Sequence, residues 1–169
     1  MQLCYQDQNY RWNGKVWLDQ HFFQVSQKLA DELTDRFLHE LVDPTHPHWI
    51  EQVSQLGRAG KDLDNRSTLR LVARACRARL QRYPEEAAAV AILSSALRQL
   101  GQSAQAEEVT RHWLNPAVLT SRSAALCDLG RWQEALSTVQ LALRSGAGAH
   151  ALEVRQRIVT YLAASGRSA

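Results

Sequence analysis

The residues with the clearest chemical potential lie between positions 66 and 83, in RSTLRLVARACRARLQRY, where six arginines occupy eighteen positions. A guanidinium group binds carboxylate or phosphate in planar, bidentate geometry. Apolar residues recur there at three- and four-residue steps and predict a helix with one buried face: Leu69, Val72, Cys76, Leu80 and Tyr83. Four arginines recur beside them and predict an exposed basic stripe: Arg66, Arg70, Arg74 and Arg77.

Three interpretations of this stripe stay open. It is a solvated helix face whose arginine stems cover apolar surface, a site for an acidic protein, or a site for nucleic acid. Arg79 and Arg82 lie further round the helix, so positive charge is predicted over more than half of its exposed circumference. The charge is local: residues 61–83 hold seven basic and two acidic residues, or +5, against +3 for the whole chain.

Other reactive residue types form no recognisable catalytic pattern. GxxxxGK[ST], GxGxxG and HExxH are absent, and no histidine has a convincing partner by spacing. His46 and His48 lack an obvious third ligand beside a proline, which makes a metal site a weak interpretation. The three cysteines are far apart and suit structural use: Cys4, Cys76 and Cys127. We therefore expect a protein that is not an enzyme, with no catalytic, cofactor-binding or metal-binding residues and no cofactor.

Composition places the chain among soluble globular proteins. It has 169 residues, 45% hydrophobic and 22% charged, which suits one compact unit with a real core. No apolar run approaches the roughly 20 residues that span a bilayer, and the first residues lack a secretory pattern. We expect a cytoplasmic protein without a membrane partner.

The first eighteen residues read as short strands. In LCYQDQNYRWNGKVWL aromatic and polar residues alternate, and Asn13-Gly14 predicts a two-residue hairpin turn with Trp12 opposite Lys15 and Tyr10 opposite Trp17. A turn at Asp7-Gln8 would add a strand over 3–6 and complete a meander. The aromatic residues form either a contact face against helices or a ligand-stacking platform: Tyr5, Tyr10, Trp12 and Trp17.

The rest of the chain has helical periodicity. A helix capped by Ser26 ends at Asp43-Pro44, so residues 1–44 are predicted as a β-hairpin plus a helix. A second helix begins near Pro47, capped by Thr45 or His46. The arginine-rich helix follows, capped by Asp64 or Asn65 and ended by Pro84. Five further helices begin near residues 85, 104, 115, 131 and 149. The predicted fold is mostly α, an antiparallel helix-hairpin array over 45–169 packed against 1–44 as one compact unit.

An internal repeat relates two of the hairpins. Residues 91–109 align with residues 120–138 of the segment that starts at Leu119, at an offset of 29 residues. The alignment superposes Leu100-Gly101 on Leu129-Gly130, Ser94 on Ser123, and Ala106 on Ala135. The glycine suits a left-handed helix end, and the small residues suit a close crossing between helices.

The segment SAALCDLGRWQEALSTVQLAL resembles the tetratricopeptide repeat (TPR) family. The resemblance covers about residues 47–166 and is strongest at 119–146. It departs from the family pattern at Trp113 and beyond residue 147. It implies a right-handed superhelix whose first helices line a concave groove that binds proteins without catalysis. Carried onto this chain, it places five residues in the groove: Arg98, Gln99, Thr120, Ala124 and Gln156.

Two functions follow as expectations. The first is a non-catalytic adaptor or chaperone-like scaffold, which binds a protein segment through the groove and the arginine-rich face. The alternative is an RNA-associated regulatory protein that uses the Arg66–Arg82 helix on phosphates, with Tyr10, Trp12 or Trp17 stacking on bases. The far side of the last helix is either polar or covered by another chain, so a homodimer through that helix is a further expectation.

Overall fold

The computed structural model describes residues 2–13, 16–42 and 48–166, without the side chains of 2–5, 35 and 37–42. Within this part the chain is mostly helical and begins with a small antiparallel sheet, which confirms the predicted class. The elements in chain order are β1 (Gln2–Tyr5), β2 (Gln8–Trp12), β3 (Trp17–Leu18), α1 (Gln27–Val42), α2 (Trp49–Asp62), α3 (Arg66–Arg82), α4 (Ala87–Gln99), α5 (Ser103–Thr110), α6 (Pro116–Asp128), α7 (Trp132–Arg144) and α8 (Ala149–Ala164).

The sheet is a three-stranded meander in the order β1-β2-β3, but its predicted register is wrong. Trp12 pairs with Trp17 rather than Lys15, and Tyr10 pairs with Leu3 of β1 rather than with Trp17. The β2–β3 connection is shifted by one residue from the predicted turn, because Asn13 closes it through two hydrogen bonds with Val16, whereas the prediction closed it between Trp12 and Lys15. The Asn13 amide donates to the Val16 carbonyl (3.3 Å), and its side-chain oxygen accepts from the Val16 amide (2.9 Å). Gly14 and Lys15 lie outside the described residues.

The turn between β1 and β2 also differs from the prediction. Gln6 and Asp7 form it, rather than Asp7 and Gln8, and both have positive φ, 50° and 61°. Two successive residues in this region match the twist of a tight antiparallel hairpin.

Tyr10, Trp12 and Trp17 form the contact face that alternation predicts, while the Tyr5 side chain lies outside the described part of the chain. Tyr10 and Trp17 are buried, and the indole N–H of Trp17 donates to Thr34 Oγ1 of α1 at 3.0 Å. Both join a hydrophobic cluster with Leu33 of α1 and Leu69 of α3. The ligand-stacking interpretation is wrong for Tyr10 and Trp17, because their rings face the core.

Most helix starts agree with their predicted caps. Ser26 Oγ accepts from the Leu29 amide at 3.4 Å, and Asn65 Oδ1 accepts from the Thr68 amide at 3.1 Å. Helix α2 begins at Trp49 with His48 in the N-cap position, later than predicted. Thr45, His46 and Pro47, like the predicted stop at Asp43-Pro44, lie outside the described residues.

The 29-residue repeat has a geometric counterpart. Gly101 and Gly130 end α4 and α6 with φ of 78° and 73°, the left-handed conformation that glycine adopts without a Cβ clash. Ser94 Oγ donates to the Ala106 carbonyl (3.4 Å), and Ser123 Oγ donates to the Ala135 carbonyl (2.8 Å). In both segments a buried serine thus joins a helix to the helix that follows it.

Helix packing places four helices in one row. Each helix from α2 to α8 contacts the next along the chain, and α2–α4, α4–α6 and α6–α8 also pack together. Helices α2, α4, α6 and α8 therefore lie side by side. Their shared surface contains the candidate site.

Candidate binding groove and arginine face

An open groove runs along the row of α2, α4, α6 and α8. The narrower part, towards α2, has a volume of about 310 Å³, and the wider part, towards the start of α8, has a volume of about 620 Å³. Both parts are lined by Ala91, Ser121 and His150. The shared residues make the two parts continuous. Small residues dominate the lining, which keeps the groove open above the helices: Gly57, Ala91, Ser95, Ala117 and Ser121.

The structure brings two of the five predicted groove residues to this surface. Arg98 lines the narrower part and forms a bidentate ion pair with Asp128 of α6, with its Nε 2.6 Å from a carboxylate oxygen. Thr120 lines the wider part, but it is buried and its hydroxyl donates to the Pro116 carbonyl at 2.8 Å. Arg98 therefore joins neighbouring helices, and Thr120 has little surface to offer a partner.

The other three predicted residues are not among those that line the two described parts of the groove. Ala124 is buried within a hydrophobic cluster with α7 and α8. Gln156 is exposed on α8, with Nε2 3.5 Å from Thr160 Oγ1 one turn further along. Gln99 is half-buried in the last turn of α4. A repeat pattern predicts the helix on which each residue lies. Which side chains of that helix face the groove depends on the angle at which the helices pack.

Two basic residues of the groove were not predicted from the sequence. Arg58 and Lys61 of α2 line the narrower part. Both are exposed, and within the described part of the chain neither side chain has a hydrogen-bond or ion-pair partner. The signal was present in the sequence, because Ser54, Arg58 and Lys61 recur at four- and three-residue steps along α2. Their free charges make this end of the groove suitable for an anionic group.

The four arginines of the predicted stripe are exposed on α3 and form the arginine face: Arg66, Arg70, Arg74 and Arg77. Arg66 donates to the Leu100 carbonyl at 3.0 Å, and Arg77 donates to Gln105 Oε1 at 3.4 Å. Both acceptors are neutral, so these contacts orient the guanidinium groups without neutralising them. Arg74 has an interaction of its own, whereas Arg70 has none within the described residues.

Arg79 does not belong to the exposed charge, which corrects the predicted extent of the face. Its side chain is 13% exposed and forms a bidentate ion pair with Glu86, at 2.6 and 2.9 Å. Its guanidinium lies 4.9 Å from the Trp49 ring centroid and 4.2 Å from that of Tyr83. The hydrogen bonds that Arg79 donates to the Glu86 carboxylate raise the pKa of Arg79 above its ordinary value. Glu86 lies beyond the end of α3, so helical spacing within α3 does not predict this pair.

Glu107 is a buried carboxylate surrounded by arginines. Glu107 lies in the second half of α5 and is 3% exposed. Its oxygens lie 2.7 Å from Arg111, 3.2 Å from Arg122 and 3.9 Å from Arg131. Hydrogen bonding from Arg111, with the charges of the three arginines, holds the pKa of Glu107 below its ordinary value against the effect of burial. The cluster joins α5, α6 and the start of α7.

The cysteine and histidine residues support structural interpretations. Cys76 and Cys127 are buried, and burial raises the pKa of Cys76 to about 12, so its thiol stays protonated. His48 is exposed and 3.7 Å from Glu51, while His46 lies outside the described residues. Within the described ranges no group of three or more His, Cys, Asp or Glu residues is placed to hold a metal ion. No helix in those ranges is long and apolar enough to cross a membrane.

The far side of α8 is largely polar. Its exposed residues include Glu153, Gln156 and Thr160, with Leu152 as an isolated exposed aliphatic residue. Tyr161 is partly covered because its ring stacks on Trp132, with centroids 3.8 Å apart. This surface resembles the polar end that a helical array needs in water. A homodimer through α8 stays a prediction, and this face offers it little apolar area.

Comparison of the chain with protein-family models, with curated proteins and with solved structures gives no match.

Proposed function

We propose that this protein is a non-catalytic adaptor with TPR-like helical repeats, which binds a protein segment in the groove along α2, α4, α6 and α8. The observation that carries the proposal is the alternation of the lining. Apart from Leu69 of α3 and the loop residues at the helix starts, every second helix supplies the groove surface. A repeat array whose first helices line a concave surface has this organisation.

The dimensions of the groove favour an extended segment. Packed helices lie about 8–10 Å apart, so a row of four spans about 24–30 Å between the outer axes. An extended chain advances about 3.3 Å per residue. The groove therefore accommodates roughly seven to nine residues of a bound segment.

The chemistry of the lining favours a segment with an acidic residue at one end. The free cations of Arg58 and Lys61 lie at the α2 end of the groove. Over the floor, the small side chains of Ala91, Ser95 and Ser121 leave space for partner side chains. An acidic protein partner is the favoured class on these grounds.

A groove-filling variant tests the proposal. Peptides of about ten residues, long enough to span the groove, are selected from a random library on the intact protein, and their affinity is measured by fluorescence anisotropy. Ser95→Trp fills the groove from α4, so we expect at least a tenfold loss of affinity. Ser137→Trp is the matched control, because Ser137 is exposed on α7 and does not line the groove. Equal affinity of both variants, with unchanged thermal unfolding, would exclude the groove as the binding site.

One of the two supports of the RNA-associated alternative is weakened. It relied on aromatic stacking beside the arginines, and Tyr10 and Trp17 face the core while Trp12 is partly buried against it. The arginine face is its remaining support.

A further inference from the structure

We propose that the arginine face is a second binding surface, separate from the groove, and that it takes an acidic α-helix of a partner protein. None of its four residues lines the groove. The proposal therefore stands or falls independently of the segment-binding function. If both hold, the protein can join two partner elements at once.

The spacing of the four arginines suits a helical partner. At about 100° and 1.5 Å per residue, positions 66, 70, 74 and 77 lie within an arc of about 80° and are separated along the axis by about 6, 6 and 4.5 Å. A partner helix with Asp or Glu at the same four-, four- and three-residue steps repeats these axial distances. The two rows of charge then match along about 16 Å.

The contacts of the end residues prepare the face for binding. Arg66 is held by the Leu100 carbonyl at the end of α4, and Arg77 is held by Gln105 of α5. Orienting a guanidinium group beforehand reduces the conformational entropy that is lost on binding. Helix α3 contains no Asp or Glu that would compete with an incoming carboxylate.

A protein helix is favoured over single-stranded RNA. Proteins that bind single-stranded RNA combine a basic surface with aromatic side chains on which bases stack. Of the three residues that the sequence offered for stacking, Tyr10 and Trp17 are buried, and Trp12 is partly buried with its ring centroid 5.5 Å from that of Trp17. Tyr83 at the end of α3 packs against Arg79. The face thus offers charge and hydrogen-bond donors at helical spacing without a stacking partner among these residues.

The test compares three probes on the intact protein by fluorescence anisotropy. The first is an alanine-based peptide of about 20 residues, long enough to form a helix, with four glutamates at steps of four, four and three. The second has the same composition with the glutamates spread around the helix. The third is a single-stranded oligouridine of similar length. We expect the patterned peptide to bind most tightly, and added salt to weaken its binding.

A matched pair of variants locates the surface. Arg70→Glu reverses a charge at the centre of the face and should weaken the patterned peptide at least tenfold. Arg82→Glu makes the same change on the same helix outside the arc, at another exposed position, and should have a much smaller effect. Circular dichroism checks that both variants fold. The proposal is overturned if the two peptides bind equally, if both variants weaken binding equally, or if oligouridine binds more tightly than the patterned peptide.

Discussion

The buried Glu107 cluster offers the sharpest test of the energetics in this fold. In Glu107→Gln, the charge that faces Arg111, Arg122 and Arg131 is lost, while the size of the side chain is kept. Removing one partner of a buried ion pair costs roughly 3–5 kcal/mol. Two of the arginines are partly hydrated, with Arg111 51% and Arg131 41% exposed, which lowers the cost. We therefore expect a loss of about 2–3 kcal/mol in the free energy of unfolding.

Thermal unfolding at neutral pH measures this loss. For a chain of this length, 1 kcal/mol corresponds to a change of about 2–4 °C in Tm, so Glu107→Gln should unfold roughly 4–12 °C below the unmodified protein. Glu134→Gln is the matched control, because Glu134 is an exposed carboxylate that also pairs with Arg131. Its Tm should change little.

The pH dependence gives a second readout of the same cluster. Because the pKa of Glu107 is lower in the folded than in the unfolded chain, its stabilising contribution is complete above the ordinary glutamate pKa of about 4.3. It is lost as the pH falls through the folded value. The difference in Tm between the unmodified protein and Glu107→Gln should stay constant near neutral pH and become smaller below about pH 4. Two results would refute the reasoning. One is a Tm of Glu107→Gln within about 2 °C of the Tm of the unmodified protein at neutral pH. The other is a Tm difference between these two proteins that does not become smaller in acid.

Three other predictions concern single side chains. Gly130→Ala should lower the free energy of unfolding by about 1–2 kcal/mol, because φ is 73° at this position. Gly57→Ala should raise the free energy of unfolding by up to about 1 kcal/mol, because Gly57 is helical and has room for a Cβ. Urea titrations measure both changes, and changes of the same sign in the two variants would contradict the prediction. Arg79→Lys should cost about 1–2 kcal/mol, because lysine cannot reproduce the bidentate bond to Glu86 or the ring contacts, and chemical denaturation measures the loss. Cys76 is buried, so it should not react with an aromatic disulfide reagent until the protein unfolds. Labelling of Cys76 in the native protein would show that the reagent reaches the thiol and would contradict this prediction.

Local features of the sequence predicted much of the helical framework. Asn65 precedes α3 and caps it, and Gly101 and Gly130 follow α4 and α6 in the left-handed conformation. The alignment of Ser94 with Ser123 predicted a close helix crossing at both positions, and in the structure each hydroxyl donates a hydrogen bond to the next helix. These predictions depend on interactions within a helical turn, or on a repeat of short period, so a single chain contains the information.

The register of the sheet and the groove lining were less accessible. A two-residue turn at Asn13-Gly14 was the strongest local signal, yet the strands pair Trp12 with Trp17. In that register Trp17 is buried against α1, where its N–H reaches Thr34. Long-range burial thus outweighed local turn preference. The groove lining depended in the same way on how α2, α4, α6 and α8 cross.

The sequence by itself determined the helices, several of their ends, the internal repeat and a row of arginines on one face of α3. Tertiary structure alone decided which charges stay free. Arg79 is paired with Glu86 between aromatic rings, and Glu107 is buried among arginines from three segments, while Arg58 and Lys61 open onto the groove. Helical periodicity repeats every few residues and is written in neighbouring positions. Whether a charge is neutralised depends on the distance to groups far along the chain, and that distance exists only after the helices have packed.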